Sequence, residues 1–123
     1  LPFADFLVTV LPDSEHTRNV IDKKVLKQMN PQSMLINVGR GSAVNEQELA
    51  DALNTGEIAA AALDTTKKEP LEKDSPLWEA KNCYITPHDS AHSLMSLPRS
   101  FNLFLENVAN LKDGKPVKNL FEL

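Results

Sequence analysis

Arg40, Asp64, Glu69 and His88 are the residues of this 123-residue chain whose types and placement suit reaction chemistry. Arg40 sits between Gly39 and Gly41, just after an apolar run. Asp64 directly follows another such run, and Pro87-His88 follows a third. Glu69 lies in the charged loop after Asp64. A guanidinium is always charged and offers a planar fork that fits a carboxylate. Flanking glycines let a ligand and the backbone approach closely. An imidazole gains and loses a proton near neutral pH, which general acid–base work requires. A carboxylate beside it, here Glu69, favours the imidazolium form. Arg, Glu and His together describe a site that binds an anionic substrate and moves a proton at one of its oxygens.

These residues need elements to bring them together. Residues 4–11 are β-rich, end at Pro12 and read as a buried strand. Asp22 opens a helix with Val25, Leu26 and Met29 on one face, stopped by Asn30-Pro31. Residues 34–38 read as a second strand. Asn45 and Glu48 have the spacing of a capping box, and the helix they open turns Leu49, Ala52 and Leu53 inward and ends at Gly56. Residues 58–63 and 83–86 read as two more strands. A long helix follows from about residue 91 to 112, with Pro98 either breaking it or marking its first turn. Apolar, non-alternating strands between amphipathic helices predict an α/β fold with a parallel sheet covered on both faces. In such sheets ligands bind beyond the carboxyl ends of the strands. Arg40, Asp64 and His88 should therefore emerge on one rim.

Composition narrows the function classes. Lys and Arg total 13 against 17 Asp and Glu, a net charge of −4, with 41% hydrophobic and 24% charged residues. That is an ordinary soluble globular domain with a core, and the acidic balance argues against a nucleic-acid partner. No run approaches the roughly 20 apolar residues of a membrane span, so no membrane partner is expected. The single cysteine, Cys83, forbids an internal disulfide and fits a reducing, cytoplasmic compartment. No leader pattern opens the chain, and the start at Leu1-Pro2 suggests a piece of something longer. The run from Gly39 to Val44 is a partial dinucleotide fingerprint whose third glycine is replaced by Val44, so it reads as a substrate loop. His88 and His92 have an i, i+4 zinc-binding spacing, but Asp89 stands where Glu is wanted and no third ligand is evident. No metal is expected.

A resemblance covers nearly the whole chain. Leu11-Pro12 with Thr17, Ile36-Asn37-Val38-Gly39-Arg40-Gly41, Ala62-Leu63-Asp64, Glu69-Pro70-Leu71, Pro76-Leu77-Trp78 and Thr86-Pro87-His88 resemble, in order and spacing, the D-isomer-specific 2-hydroxyacid dehydrogenases. The resemblance implies an oxidoreductase that reduces a short 2-keto acid to the D-2-hydroxy acid with NAD or NADP as cofactor. It implies that Arg40 binds the substrate carboxylate and keto oxygen, that His88 moves the proton and that Glu69 tunes His88. Asp64 would hold the nicotinamide carboxamide. Val38 and Gly39 would line the nicotinamide, and Leu11, Pro12, Ser90 and Ala91 would flank the cofactor, with Arg40 and His88 beside it. A homodimer is implied for the full-length protein. Residues 65–68 are basic where the family has aromatic and acidic residues, and Asp89 replaces an apolar residue; if Asp89 points at His88 it adds to the effect of Glu69.

The same resemblance places this sequence within a larger plan. The phosphate-cradling Gly-x-Gly-x-x-Gly turn belongs to an earlier strand–helix unit. Residues 1–92 thus read as the C-terminal half of a dinucleotide-binding domain, half of a Rossmann-type doubly wound sheet. Residues 93–123 read as a C-terminal helix and tail returning toward a substrate domain. The first strand would then expose an edge. On this reading the parent protein is the enzyme and the 123-residue chain alone is inactive. The alternatives are a nucleotide-sensing or partner-binding module without turnover, motivated by Lys67, Lys68 and Asp89, and an inert fragment.

Overall fold

The computed structural model describes residues 1–120. They divide into two compact units, Leu1–Ser90 and a second that begins at Ala91. The first unit contains a four-stranded parallel sheet made of β1 (Phe6–Thr9), β2 (Met34–Asn37), β3 (Ala60–Leu63) and β4 (Cys83–Ile85), in that spatial order. Helices α1 (Lys23–Leu26) and α2 (Glu46–Thr55) fall between successive strands, as parallel pairing requires. Short 3-10 turns cover Gly41–Ala43 and Pro76–Trp78.

Local chemistry sets the ends of these elements. Asp22 caps α1, accepting from the backbone N–H of Lys24 and Val25. Gly56 closes α2 in the left-handed conformation with φ 76, where glycine carries no Cβ penalty. Asn45 caps α2 through the N–H of Glu48, at 3.3 Å. The expected capping box is only half formed: the Glu48 carboxylate instead accepts from the backbone N–H of Lys23 at 2.6 Å, tying α2 to the start of α1.

Register explains the core. Leu35 of β2 lies beside Leu7 of β1 and Ala61 of β3, and Leu63 lies beside Asn37 and Ile85. Leu35, Ala61 and Leu63 are buried with Leu26 of α1 and with Leu49, Ala52 and Leu53 of α2. Each leucine buried there contributes roughly 2 kcal/mol of apolar transfer. The opposite face differs from the sequence expectation of a sheet covered on both sides. Phe6, Val8 and Tyr84 are exposed, and Met34, Ile36, Ala60 and Ala62 beside them are half-buried. β1 is likewise an exposed edge strand, not a buried one, with Phe6 63% and Val8 51% exposed. The strands are also shorter than their apolar runs, because the ladder extends only where neighbours run side by side.

In the second unit, α3 spans Ser96–Lys112. Pro98 lies in its first turn, where its missing N–H leaves no intrahelical bond unmade. Phe101 and Phe104 stack with centroids 6.5 Å apart and stay exposed. Asn107 holds the following chain, its amide and carbonyl bonding the backbone of Lys118. Among the described residues no helix is long and apolar enough to cross a membrane.

Candidate functional site

The loops that leave the carboxyl ends of the strands build a rim in two layers. The inner layer is buried. Asn37, the last residue of β2, is fully buried, and its Oδ1 accepts from the Thr9 hydroxyl at 2.6 Å and from the Gly39 N–H at 3.1 Å. Its Nδ2 donates to the Arg40 carbonyl at 3.2 Å. One amide thus joins the ends of β1 and β2 and shapes the turn that carries Arg40. Gly39 lies so close to Leu11 that a Cβ there would sit 2.6 Å from the Leu11 nitrogen. Gly41 is as tightly packed on the other side: a Cβ would lie 1.9 Å from the carbonyl carbon of Thr66. The two glycines flanking Arg40 are therefore demanded by backbone packing.

Asp64, the first residue after β3, does the same for β4. Its Oδ1 accepts from the Thr86 hydroxyl at 2.6 Å and from the Asp89 N–H at 3.0 Å, and its Oδ2 accepts from the Ser90 N–H at 3.1 Å. The Ser90 and Thr86 hydroxyls, with these N–H groups, hold its carboxyl well below the usual carboxylate range, so Asp64 is ionised. The clamp spans the turn that bears His88, whose backbone is left-handed with φ 57.

The outer layer is exposed. His88 Nδ1 meets Glu69 Oε2 at 2.8 Å, and Glu69 Oε1 accepts from the Thr66 N–H at 3.1 Å. The His88 contact, aided by Thr66, lowers the Glu69 carboxyl from its ordinary value. Arg40 uses Nη1 on the Gly39 carbonyl at 2.8 Å, and the rest of its fork makes no hydrogen bond among the described residues. Arg40, Glu69 and His88 line one cleft of about 290 Å³, with Asp13, Ser42 and Lys67. A second cleft of about 460 Å³ shares Glu69 and His88 and is lined also by Asp64, Trp78 and Thr86.

The sequence expectation of one rim is met by Arg40, Asp64, Glu69 and His88. Leu11 meets Gly39 through the backbone, and Pro12 follows with its carbonyl accepting from the Thr17 hydroxyl. Val38 is partly exposed at the end of β2, its N–H bonded to the Thr9 carbonyl. Ser90 joins through its N–H to Asp64. Ala91 begins the second unit and is exposed. Asp89 acts through its backbone N–H on Asp64, and no bond from its carboxylate to His88 occurs among the described residues. Residues 88–92 form a turn, not the helix that an i, i+4 histidine pair would need. Sequence reasoning missed Asn37, Thr9 and Thr86. The available signal was a polar residue in or directly after three apolar runs, Thr9 and Asn37 inside theirs and Thr86 after Ile85.

The rim fits part of a dinucleotide. An ionised carboxylate, Asp64, that lines the larger cleft suits an amide-bearing ring. The sequence holds no Gly-x-Gly-x-x-Gly turn to cradle a pyrophosphate. Comparison with known proteins agrees with this division. The family described as D-isomer specific 2-hydroxyacid dehydrogenase, NAD binding domain, matches residues 1–90. A hydroxypyruvate reductase of Blautia hydrogenotrophica is 36% identical over 114 residues, 93% of this chain and 35% of that protein. A NADPH-dependent glyoxylate/hydroxypyruvate reductase of Sinorhizobium meliloti, solved with NADP and sulfate, superposes with a TM-score of 0.87 at 28% identity, covering 99% of this chain and 40% of that one. A D-isomer-specific 2-hydroxyacid dehydrogenase of Xanthobacter autotrophicus, solved with NADPH and MES, gives 0.85 at 33% identity, covering 97% of this chain and 48% of that one. The chain spans about a third of the length of the curated relatives it matches. The parallel sheet is thus Rossmann-type, and the chain belongs to the NAD-binding domain family of the D-isomer-specific 2-hydroxyacid dehydrogenases.

Proposed function

We propose that the full-length protein carrying this chain reduces a short 2-keto acid to the D-2-hydroxy acid, using NADH or NADPH. The observation that carries the reading is the 2.8 Å contact between His88 Nδ1 and Glu69, made in the cleft that Arg40 also lines. With Nδ1 engaged, Nε2 is the ring nitrogen left to give a proton to the carbonyl oxygen in reduction and to take it back in oxidation. Glu69 positions the ring through its contact with Nδ1. The free donors of Arg40 bind the substrate carboxylate and draw on the keto oxygen. The reduced nicotinamide, when bound, supplies the hydride. Asp64, ionised and lining the larger cleft, is the acceptor for the carboxamide N–H, and the backbone of Leu11, Pro12, Val38 and Gly39, with Ser90, flanks the ring.

A homodimeric, cytoplasmic enzyme goes with this reading. Burial pushes the Cys83 thiol up to about 11, with Glu46 adding to the shift, so Cys83 stays a protonated, unreactive thiol.

The test is oxidation of NADH and NADPH by the full-length protein with short 2-keto acids, wild type against Arg40→Ala. Loss of a charge-assisted fork lowers kcat/KM by about a hundredfold, mainly through KM. If the wild type turns over none of these acids with either cofactor, the reading is wrong. Saturable cofactor binding without turnover, indifferent to Arg40→Ala, would assign a sensing module instead.

A further inference from the structure

We propose that the substrate carries a second anionic group, a distal carboxylate or a phosphate, and that Lys67 selects it. This rests on the reading of Arg40 and His88 given above and names a substrate class within it.

The charged side chains around the smaller cleft differ in what they are bound to. Asp13 is paired with Arg18 Nε at 3.2 Å and accepts from the Ser42 hydroxyl at 2.9 Å. Glu69 is taken up by His88 and the Thr66 N–H. Arg40 makes no ion pair among the described residues, and its Nη1 bond goes to a carbonyl. Lys67 lines the same cleft, is exposed, and its ammonium makes no ion pair among the described residues either. Its neighbour Lys68 differs, being paired with Glu72. Arg40 and Lys67 are thus the cations on this cleft without an ion pair among the described residues, the Glu46 carboxylate meeting Lys67 at its backbone N–H.

Lys67 is also anchored where it is useful. Its backbone nitrogen would lie 2.4 Å from a Cβ on Gly41, so the chain at Lys67 packs directly against the turn bearing Arg40. Its N–H donates to Glu46 Oε1 at 2.6 Å, which fixes the base of the side chain. From that base a flexible four-carbon stem carries a compact charge. The two cations suit different tasks: the fork of Arg40 fits a planar carboxylate, while an ammonium accepts a tetrahedral or planar anion at variable reach. Unpaired like charges in a walled cleft raise the local concentration of anions, dianions most of all.

The full-length protein is to be assayed with NADH and NADPH on two matched pairs, 2-oxobutanoate against 2-oxobutanedioate and hydroxypyruvate against its 3-phosphate ester. Wild type, Lys67→Gln and Lys67→Arg are compared. The wild type has the higher kcat/KM on the dianionic member of one pair, and which pair it is separates carboxylate from phosphate. In Lys67→Gln the ratio of dianion to monoanion kcat/KM falls about tenfold, through KM, and Lys67→Arg restores most of it. Preference for the monoanion in both pairs, or a ratio unchanged by Lys67→Gln, overturns the proposal and leaves the dehydrogenase reading in place. No turnover of any of the four compounds overturns that reading and this proposal with it.

Discussion

The inner and outer layers of the rim are built from similar polar side chains and differ in what those side chains are bound to. Asn37 is fully buried and engages a hydroxyl, an N–H and a carbonyl of its own chain. Asp64 is 5% exposed and accepts from Thr86, Ser90 and the Asp89 N–H around the turn that bears His88. In the outer layer, Arg40 keeps most of its fork free, and the His88 side chain is 42% exposed with one ring nitrogen unengaged. Position and reactivity are thus assigned to different residues. A polar group that must hold geometry is buried and satisfied, since leaving it unsatisfied costs about 1–3 kcal/mol. A group that must meet a substrate keeps capacity in reserve.

The larger of two effects that would break or sharpen this contrast comes from Asn37→Ala. It strips the acceptor from the Thr9 hydroxyl and the Gly39 N–H, both deep in the inner layer. Chemical denaturation should show a loss of about 1–3 kcal/mol. A loss under about 0.5 kcal/mol, the range of an ordinary surface change, would mean that the inner layer does not hold the rim.

The smaller effect is acid sensitivity. Asp64 binds its proton less readily when folded than when unfolded, because the Ser90 and Thr86 hydroxyls and the 89–90 N–H groups favour its charged form. The unfolded chain therefore takes up protons first as pH drops. Stability is full above the ordinary carboxylate value and is lost progressively below about pH 4. Glu69 acts in the same direction, but it is exposed and contributes less. Urea unfolding between about pH 7 and pH 3 should show this decline, with a flatter acid limb in Asp64→Asn. An equal slope in both proteins would remove Asp64 from the account.

How legible this was depended on the distance between the residues involved. Asp22, Asn45 and Gly56 act within a turn of themselves, so their capping roles follow from local spacing. Glu48 has that spacing too, yet its carboxylate goes to Lys23, a competitor supplied only once α1 and α2 pack. Arg40, Asp64 and His88 were legible as rim residues because each comes just after an apolar run, whereas Glu69 reaches the rim only through the fold of the loop after Asp64. The joining of Thr9 to Asn37 was not, because it crosses 28 residues and depends on the register of β1 against β2. The rule that parallel sheets are covered on both faces describes whole domains. Phe6, Val8 and Tyr84 share a face that the described residues leave open.

The central claim is that His88, held by Glu69, moves the substrate's proton. It is tested most directly by kcat/KM of the full-length protein with its best 2-keto acid, wild type against His88→Asn, with thermal melts of both. Asparagine tolerates the left-handed backbone found at position 88, so the turn is kept. The account predicts a fall in kcat/KM of about a hundredfold or more, with a melting temperature within about 2 °C of wild type. A variant within about threefold of wild-type kcat/KM would contradict it.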